Sequence, residues 1–427
     1  MTDGPVRAHR YGARILDWHG LAEVARELEA TASDPEGVGI MTRQGRIYAV
    51  RLDHVPLKAA PILKQELLSV GRDAAHARGV ADPSVTETSV VAIATWGQYR
   101  HLLPKLRRQP FQLRAIADEV ERALRAYVRT GPRIVPGAHR ALTLGPGPVV
   151  MGVVNVTPDS FSDGGRFLAP AAAIDRAVAL AAAGAAIVDL GAESTRPGAA
   201  PVAPEEEWRR LAPVLDGLRG RLSVPISVDT RHPEVAEREV DAGADWVNDV
   251  EGLRSAAMRQ VVARTGAAAV LMHMPGDPTT MQSQTTYDDL RGTVFRFLAD
   301  ATDRAVADGI PPDRLIVDPG LGFGKTPAQS LELLLHVGEL GSLGYPVLVG
   351  ASRKSFLGWA LDDGGGPADR LEAGLAAAVL AADRGATIVR THDVAPTVRA
   401  LALVARARTL RALPPTTPEG ARAAEPD

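Results

Sequence analysis

The residues best suited to chemistry in this 427-residue chain are concentrated between 150 and 165, in the run VMGVVNVTPDSFSDGG. The valine-rich segment before Asn155 predicts a strand that is buried on both faces. Asn155 ends that strand, and the loop after it consists mainly of Thr, Pro, Asp, Ser and Gly, which form turns. Because α/β enzymes keep polar groups where buried parallel strands end, this loop predicts part of an active site rather than a plain surface turn.

Seven other apolar segments end in polar clusters in the same way. The clusters are ESTRPG at 193–198, SVDT at 227–230, ND at 248–249, MHM at 272–274, DPGLGFGK at 318–325, SRKS at 352–355 and RTHD at 390–393. An Asp or Asn in such a position could simply cap a helix, whereas Arg, Lys and His have no role in an N-terminal cap. The eight clusters together therefore predict one polar site, formed where the strands end.

The spacing of the apolar segments predicts the fold that brings these clusters together. The predicted strands are 149–155, 186–190, 224–229, 245–249, 267–272, 314–317, 346–350 and 386–390, and the helices between them centre on residues 178, 210, 237, 259, 298, 333, 376 and 400. Eight strands, each followed by a helix over roughly 270 residues, are typical of an α/β protein with a (β/α)₈ TIM barrel. A doubly wound open sheet is the alternative, although such sheets usually have fewer strands.

Three regions are predicted along the chain. Residues 1–137 form a small α/β domain of unknown role, 138–411 form the barrel, and 412–427, rich in Pro, Ala and charge, form a disordered tail. Within the first region we expect a hairpin of 38–41 with 47–52 and a helix over 57–77, on which Lys64, Arg72, Asp73 and His76 would lie. That face could bind an anion, but a solvated helix face is the simpler interpretation.

The segment that joins the first region to the barrel is also interpreted from its composition. Residues 129–139 contain Thr, Gly and Pro residues typical of a linker. After it, a hairpin over 141–149 around the Gly-Pro-Gly at 145–147 is expected to close the bottom of the barrel.

Composition excludes several classes of function. The chain has 48 Lys and Arg against 51 Asp and Glu, for a net charge of −3, so a nucleic-acid partner is not expected. It contains no Cys and therefore no disulfide framework or thiolate metal site. We find neither an apolar run long enough to cross a bilayer nor a signal peptide, so we expect no membrane partner and a cytoplasmic location.

Lysine is rare enough to be informative. The lysines are Lys58, Lys64, Lys105, Lys325 and Lys354. Where Arg is otherwise used, a retained Lys can indicate a position that requires a compact ammonium group.

The polar clusters divide into two chemical sets. Asp229, Asn248, Asp318 and Lys354 would suit a flat heterocycle with an amide and an amino-pyrimidine edge, because such an edge needs paired donors and acceptors. Met272 and Phe323 could form apolar walls beside it, or could be ordinary core residues. The second set is cationic and suits a pyrophosphate with its Mg²⁺; its members are Asn155, Arg196, Arg390 and His392.

In order and position, the eight clusters resemble those of dihydropteroate synthase, a pterin-binding enzyme of folate biosynthesis, over residues 141–408. The resemblance implies that Asp229, Asn248, Met272, Asp318, Phe323 and Lys354 bind the pterin, and that Phe161, Thr195, Pro197 and Ser352 contact p-aminobenzoate. It also implies that Asn155, Arg196, Arg390 and His392 bind pyrophosphate, with Asn155 as a metal ligand. Ala192 and Thr391 are small departures from the usual pattern, and the first region lies outside the common catalytic core.

The activity implied by this resemblance is that of a transferase and sulfonamide target. It would join 6-hydroxymethyl-7,8-dihydropterin pyrophosphate to p-aminobenzoate, with Mg²⁺ as cofactor, two small-molecule substrates and a homodimeric assembly. The expected catalytic residues are Asp229, Arg196, Lys354, Arg390 and His392. A non-catalytic pterin-binding protein and the pterin-binding domain of a corrinoid-dependent methyltransferase remain as alternatives, although the latter lacks the loop at 159–163 and the clusters at 352–355 and 390–392.

Overall fold

The computed structural model describes residues 14, 16, 18, 20–77, 86–129, 131–156, 168–193, 201–362 and 366–412. The chain divides into two compact units, Met1–Arg122 with Thr409–Asp427, and Ala123–Arg408. The boundary predicted at residue 137 stays a prediction, and most of the predicted tail, 413–427, lies outside the described residues.

The first unit is built on a three-stranded antiparallel sheet in the order β1, β3, β2. Its strands are β1 (Ile47–Pro56), β2 (Asp73–His76) and β3 (Glu87–Thr95), and the helices of this part of the chain are α1 (Leu21–Glu29), α2 (Pro35–Thr42), α3 (Ala59–Leu68), α4 (Trp96–Leu106) and α5 (Leu113–Tyr127). The buried Tyr99 hydroxyl donates to the carbonyl oxygens of Tyr48 and Ala92 at 3.2 and 2.9 Å. This side chain therefore ties α4 to β1 and β3.

Two predictions for this unit are wrong. Residues 38–41 lie in helix α2 instead of a hairpin, because Asp34 accepts hydrogen bonds from the backbone amides of Glu36 and Gly37 and caps a helix that begins at Pro35. The helix predicted over 57–77 ends at Leu68, and Gly71 with a φ of +73° turns the chain into β2.

The proposed anion-binding helix face is consequently absent from this described segment. Lys64 lies on α3, and its Nζ pairs with Asp73 of β2 at 3.2 Å. Arg72 precedes β2, and its Nε donates to the Gln98 amide oxygen at 2.7 Å.

The second unit begins with a hairpin of β4 (Arg133–Pro136) and β5 (Ala141–Leu144) and continues as a barrel. Its parallel strands are β6 (Val149–Asn155), β7 (Ile187–Gly191), β8 (Ile226–Asp229), β9 (Trp246–Asp249), β10 (Ala268–Met272), β11 (Leu315–Asp318), β12 (Leu348–Gly350) and β13 (Ile388–Thr391). They form one sheet in the order β11, β10, β9, β8, β7, β6, β13, β12, and a parallel bridge between Val317 and Val347 joins its two edges. The predicted (β/α)₈ barrel is confirmed.

Helices follow the barrel strands in turn. They are α6 (Leu168–Ala182), α7 (Pro204–Leu218), α8 (Pro233–Asp241), α9 (Ala256–Thr265), α10 (Leu290–Ala307), α11 (Pro327–Leu335), α12 (Ser355–Ala360), α13 (Leu371–Asp383) and α14 (Val394–Ala412). The short α12 and α13 both follow β12, and each helix predicted from the sequence has a counterpart. Among the described residues, no helix is both long and apolar enough to cross a membrane.

The hairpin β4–β5 contributes to the barrel core. Val135, Leu142 and Leu144 are buried with Met151 and Trp246 in one apolar cluster. The linker prediction is therefore wrong for 133–136, and the hairpin turns at 137–140, earlier than predicted.

The buried carboxylate of Asp245 explains where this hairpin turns. Its Oδ1 accepts the backbone amides of His139 and Arg140 at 3.1 and 2.6 Å, and its Oδ2 pairs with the Arg140 guanidinium and accepts the amide of Ile226. One carboxylate thus fixes the turn against the barrel wall next to β8.

Candidate active site

The barrel brings polar side chains of neighbouring strands together at its carboxyl end. Asp229 at the end of β8 is in register with Asn248 of β9, and Asp318 at the end of β11 is in register with Met272 of β10. Arg390 lies on β13, one residue before that strand ends. Because all eight strands are parallel, these positions lie on one rim.

Arg390 is bound by two carboxylates. Its Nε donates to Asp189 Oδ2 at 2.7 Å, and its Nη2 donates to Asp229 Oδ2 at 2.9 Å. Asp189, inside β7, has no exposed surface, and its Oδ2 also accepts the Asn248 side-chain amide at 3.4 Å. Arg390 therefore links β7, β8 and β13 in a network of charge-assisted hydrogen bonds.

Asp189 is a site residue that our sequence analysis missed. It is enclosed by apolar neighbours in a buried strand, as a structural core position would be, and its partner Arg390 lies 201 residues away along the chain. The available signal was an acidic residue inside a strand whose other side chains are apolar, since such a charge needs a partner.

The buried charges perturb one another. Burial raises the pKa of Asp229 to about 7, with the carboxylates of Asp189 and Asp249 adding to the shift and the Arg390 guanidinium opposing it. Burial alone would lower the pKa of Arg390, but Asp189 and Asp229 hold it above its usual value. Asp229 thus changes its charge near neutral pH while Arg390 stays cationic.

Asp318 and Lys354 form the other side of the site. The Asp318 Oδ1 accepts the backbone amide of Gly320 at 2.7 Å. The Lys354 Nζ lies 4.3 Å from the centroid of the Phe323 ring and donates to the Leu321 carbonyl oxygen. Burial lowers the pKa of Lys354 to about 8, against the opposing charge of Asp318, and burial raises the pKa of Asp318.

An apolar wall lies beside this pair. Met272 is buried in a cluster with Val250, Met274 and Met281, and Phe323 packs against the same cluster. Met272 is also the backbone neighbour of Asp318. The wall is therefore formed by core packing and adjoins the polar groups, so the two interpretations of Met272 and Phe323 are compatible.

Lys325 fixes the loop that follows β11. Its buried Nζ lies 2.9 Å from His273 Nδ1, 2.9 Å from the Gly320 carbonyl oxygen and 2.8 Å from that of Phe323. Burial lowers the pKa of His273 to about 2, so its imidazole is neutral and Nδ1 can accept a hydrogen bond from Lys325. Lys325 thereby positions the loop that carries Phe323.

The ends of β12 and β13 are joined by His392 and Ser352. The Ser352 hydroxyl lies 3.1 Å from His392 Nδ1 and accepts the His392 backbone amide at 3.2 Å. Next to them, Arg353 forms two hydrogen bonds with Asp393, of 3.2 and 2.7 Å. These contacts bring Ser352, a predicted p-aminobenzoate residue, to His392, a predicted pyrophosphate residue.

Of the remaining predicted site residues, only Asn155 lies among the described residues. Asn155 is half-buried at the carboxyl end of β6. Phe161, Thr195, Arg196 and Pro197 lie outside the described residues, in the segments 157–167 and 194–200. The ligand-binding roles assigned from the sequence stay predictions.

Comparison with known proteins decides the family. Residues 151–392 match the family described as Pterin binding enzyme. The chain is 45% identical over 257 residues to the dihydropteroate synthase of Escherichia coli strain K12, covering 60% of this chain and 90% of that protein. The chain belongs to the pterin binding enzyme family. The predicted resemblance to dihydropteroate synthases is confirmed.

Two further similarities concern the whole chain and the fold. A probable bifunctional folylpolyglutamate synthase/dihydropteroate synthase of Halobacterium salinarum is 40% identical over 396 residues, or 92% of this chain, so its similarity extends into the first unit. This chain spans 47% of that protein's length. The structure of Xanthomonas albilineans dihydropteroate synthase with 4-aminobenzoic acid superimposes with a TM-score of 0.62 at 44% identity, covering 66% of this chain and 100% of that one.

Proposed function

We propose that this chain condenses 6-hydroxymethyl-7,8-dihydropterin pyrophosphate with p-aminobenzoate, giving 7,8-dihydropteroate and pyrophosphate. The observation that carries the proposal is the convergence of Asp229, Asn248, Asp318 and Lys354 at one end of the barrel. These residues are far apart in the sequence and meet only in the folded barrel. Polar side chains that converge in this way commonly share a ligand or a structural network. The name of the Escherichia coli relative supports the same activity.

The pterin would bind between the polar groups and the apolar wall. Asp318 supplies carboxylate acceptors for a ring N–H and an exocyclic amine, Lys354 supplies a donor, and Asn248 supplies both kinds of group. Met272 and Phe323 would contact the faces of the ring. A buried site of this composition favours a flat, hydrogen-bonding heterocycle over a flexible ligand.

The cationic set would bind the leaving group. Arg390, a member of this set, also contacts the pterin set, because its guanidinium pairs with Asp229. Its strand leads directly to His392. We assign pyrophosphate binding to Arg390 and His392 together with Arg196 and Asn155, and p-aminobenzoate contacts to Phe161, Thr195, Pro197 and Ser352.

The reaction breaks the C–O bond between the pterin methylene and pyrophosphate, and the departing oxygen keeps the electron pair. Arg196, Arg390 and His392 stabilise the growing negative charge, while Asp229, in its ionised form, stabilises the electron-poor methylene. Lys354 holds the ring in place. The arylamine nitrogen then forms the new C–N bond and loses a proton to solvent, and no dedicated base is required because an aniline is already nucleophilic at neutral pH.

Magnesium is part of this proposal, and Asn155 is its proposed protein ligand. The half-buried Asn155 at the end of β6 offers an amide oxygen, which is a hard donor that suits Mg²⁺. A single protein ligand is compatible with Mg²⁺, because this ion commonly keeps waters and binds substrate phosphates. When bound, the ion would neutralise charge on the pyrophosphate.

We further propose a homodimer in the cytoplasm, with two small-molecule substrates and neither nucleic acid nor membrane as a partner. Size-exclusion chromatography with light scattering would test the oligomeric state of the purified chain.

Mass spectrometry of the reaction products tests the activity. The purified chain with both substrates and Mg²⁺ should form 7,8-dihydropteroate, and the Asp318→Ala variant should form much less at the same substrate concentrations. A chain that binds the pterin ester tightly and forms no product would instead be a pterin-binding protein.

A further inference from the structure

A second group of metal-ligating side chains lies on the loops after β7 and β8. Glu193 lies two residues after the end of β7, Glu207 lies in the first turn of α7, and His232 is the residue before α8. The Asp229 and Arg390 pair belongs to the site already described, whereas these three side chains have no role in the proposed reaction.

The three side chains point at a common centre. His232 Nε2 lies 3.8 Å from Glu193 Oε2 and 3.8 Å from Glu207 Oε2, and all three ligand atoms lie within 4.8 Å of one another. The point in their plane that is equally distant from them would therefore be at most about 2.5 Å from each, close to the bond lengths of about 2.0 to 2.2 Å that Zn²⁺ makes with His and carboxylate ligands.

Two of these ligands lack the partners that burial requires. Glu207 has no exposed surface, and neither of its carboxylate oxygens has a hydrogen-bond partner among the described residues. The Nε2 atom of His232 is likewise buried without a hydrogen bond within the described part of the chain. A buried carboxylate that has no hydrogen bond and faces an imidazole at 3.8 Å is costly to keep charged, so an unfilled ligand position explains the arrangement.

Neighbouring side chains enclose the candidate ligands. Arg231 pairs with Glu193 at 3.2 and 3.3 Å, and a further carboxyl group, that of Glu239, is fully buried near Glu207. Arg231 lies 3.5 Å from Glu251 as well. Its bonds to Glu193 would orient that carboxylate from outside, as partners of metal ligands commonly do.

We propose that Glu193, Glu207 and His232 bind one divalent transition-metal ion of the Zn²⁺ type. The ion would join the loop after β7 to the start of α7 and to the loop after β8. One imidazole nitrogen with two carboxylates suits such an ion, whereas the Mg²⁺ proposed at Asn155 depends on oxygen ligands and on substrate phosphate. The site is therefore distinct from the proposed Mg²⁺ site.

Calorimetric titration of the metal-stripped full chain with Zn²⁺ tests the proposal. We expect one Zn²⁺ per chain, with the affinity lowered roughly 100-fold or more in His232→Ala and in Glu207→Gln. His336→Ala is the matched control, because His336 is an exposed imidazole that pairs with Glu339 at 3.6 Å, and this variant should bind Zn²⁺ as the wild type does. Asn155→Ala should also keep the Zn²⁺ site.

Thermal unfolding and Co²⁺ absorption provide readouts that do not depend on activity. Zn²⁺ should raise the melting temperature of the wild type and of His336→Ala but not of His232→Ala, and Co²⁺ should give the visible absorption of a low-coordinate site. Circular dichroism would verify that each variant is folded. Absence of stoichiometric binding, or equal affinity in folded wild type and His232→Ala, would overturn the proposal and leave His232 as an ion-pair partner of the two carboxylates.

Discussion

Arg390 forms an ion pair of 2.7 Å with the fully buried Asp189 although 201 residues separate them in the chain. The same guanidinium reaches Asp229 at 2.9 Å, so Asp189 determines where Arg390 can lie and, through it, the orientation of Asp229. Asp189 itself need not touch a substrate. It acts as a positioning residue for two groups that we place in the reaction.

This relationship predicts non-additive losses. Arg390→Ala should lower kcat/KM for the pterin ester by roughly 10²-fold or more, which is the usual effect of removing one preorganised donor. Asp189→Ala should also have a strongly lowered kcat/KM. The double variant should be little less active than the less active single variant, because both changes remove the same ion pair between Asp189 and Arg390. Steady-state kinetics of all four proteins measure this. Near-normal activity of Arg390→Ala would contradict the anion assignment, and additive losses would contradict the positioning role.

Asp318 should act on only one of the two substrates. We place it against the pterin edge, where its carboxylate accepts hydrogen bonds from the ring. Because Asp318→Ala removes these acceptors, it should raise KM for the pterin ester far more than KM for p-aminobenzoate. Kinetics with each substrate varied separately would measure the two values. Equal effects on both would show that the pterin position is misassigned.

The two perturbed charges predict a bell-shaped pH profile. Asp229 has a pKa of about 7 and is needed as a carboxylate, so kcat/KM should rise with pH through that value. Lys354 has a pKa of about 8 and is needed as an ammonium, so kcat/KM should fall at higher pH. In Lys354→Arg the alkaline decline should move beyond the measured range, since Arg does not titrate there, while the acid limb stays in place. An unchanged alkaline limb in this variant would assign that decline to another group.

Lys325 should contribute strongly to the free energy of unfolding, although we assign it no part in the reaction. Lys325→Met removes a buried side-chain nitrogen that contacts His273, Gly320 and Phe323, and leaves their acceptors unsatisfied, so the free energy of unfolding should fall by about 3 kcal/mol or more. Urea denaturation would measure it. Lys105→Met is the control, because that ammonium donates to the Ser69 hydroxyl at the surface, and its loss should cost about 0.5 kcal/mol or less. Similar losses in both variants would argue against the loop-positioning role of Lys325.

The barrel could be predicted from the sequence because its signals are local. A run such as 149–154 is apolar and rich in β-branched residues, which predicts a buried strand. Because strands and helices alternate regularly along the chain, their order indicates a parallel barrel. The hairpin predicted at 38–41 failed for an equally local reason. The Asp34 cap with Pro35 outweighed the apolar composition of that segment.

The site itself could be predicted only in part. Asp229 and Lys354 could be proposed as site residues because polar residues at strand ends are conspicuous in the sequence. Asp189 and Glu207 were missed because their importance arises from burial beside distant partners, which no local pattern reveals.

The dependence of pyrophosphate release on p-aminobenzoate tests the central claim most directly. With the pterin pyrophosphate and Mg²⁺, we expect release that requires p-aminobenzoate and yields one 7,8-dihydropteroate per pyrophosphate. Pyrophosphate release at the same rate with and without p-aminobenzoate would contradict the assignment as a dihydropteroate synthase. So would the absence of release from a chain that still binds the pterin ester.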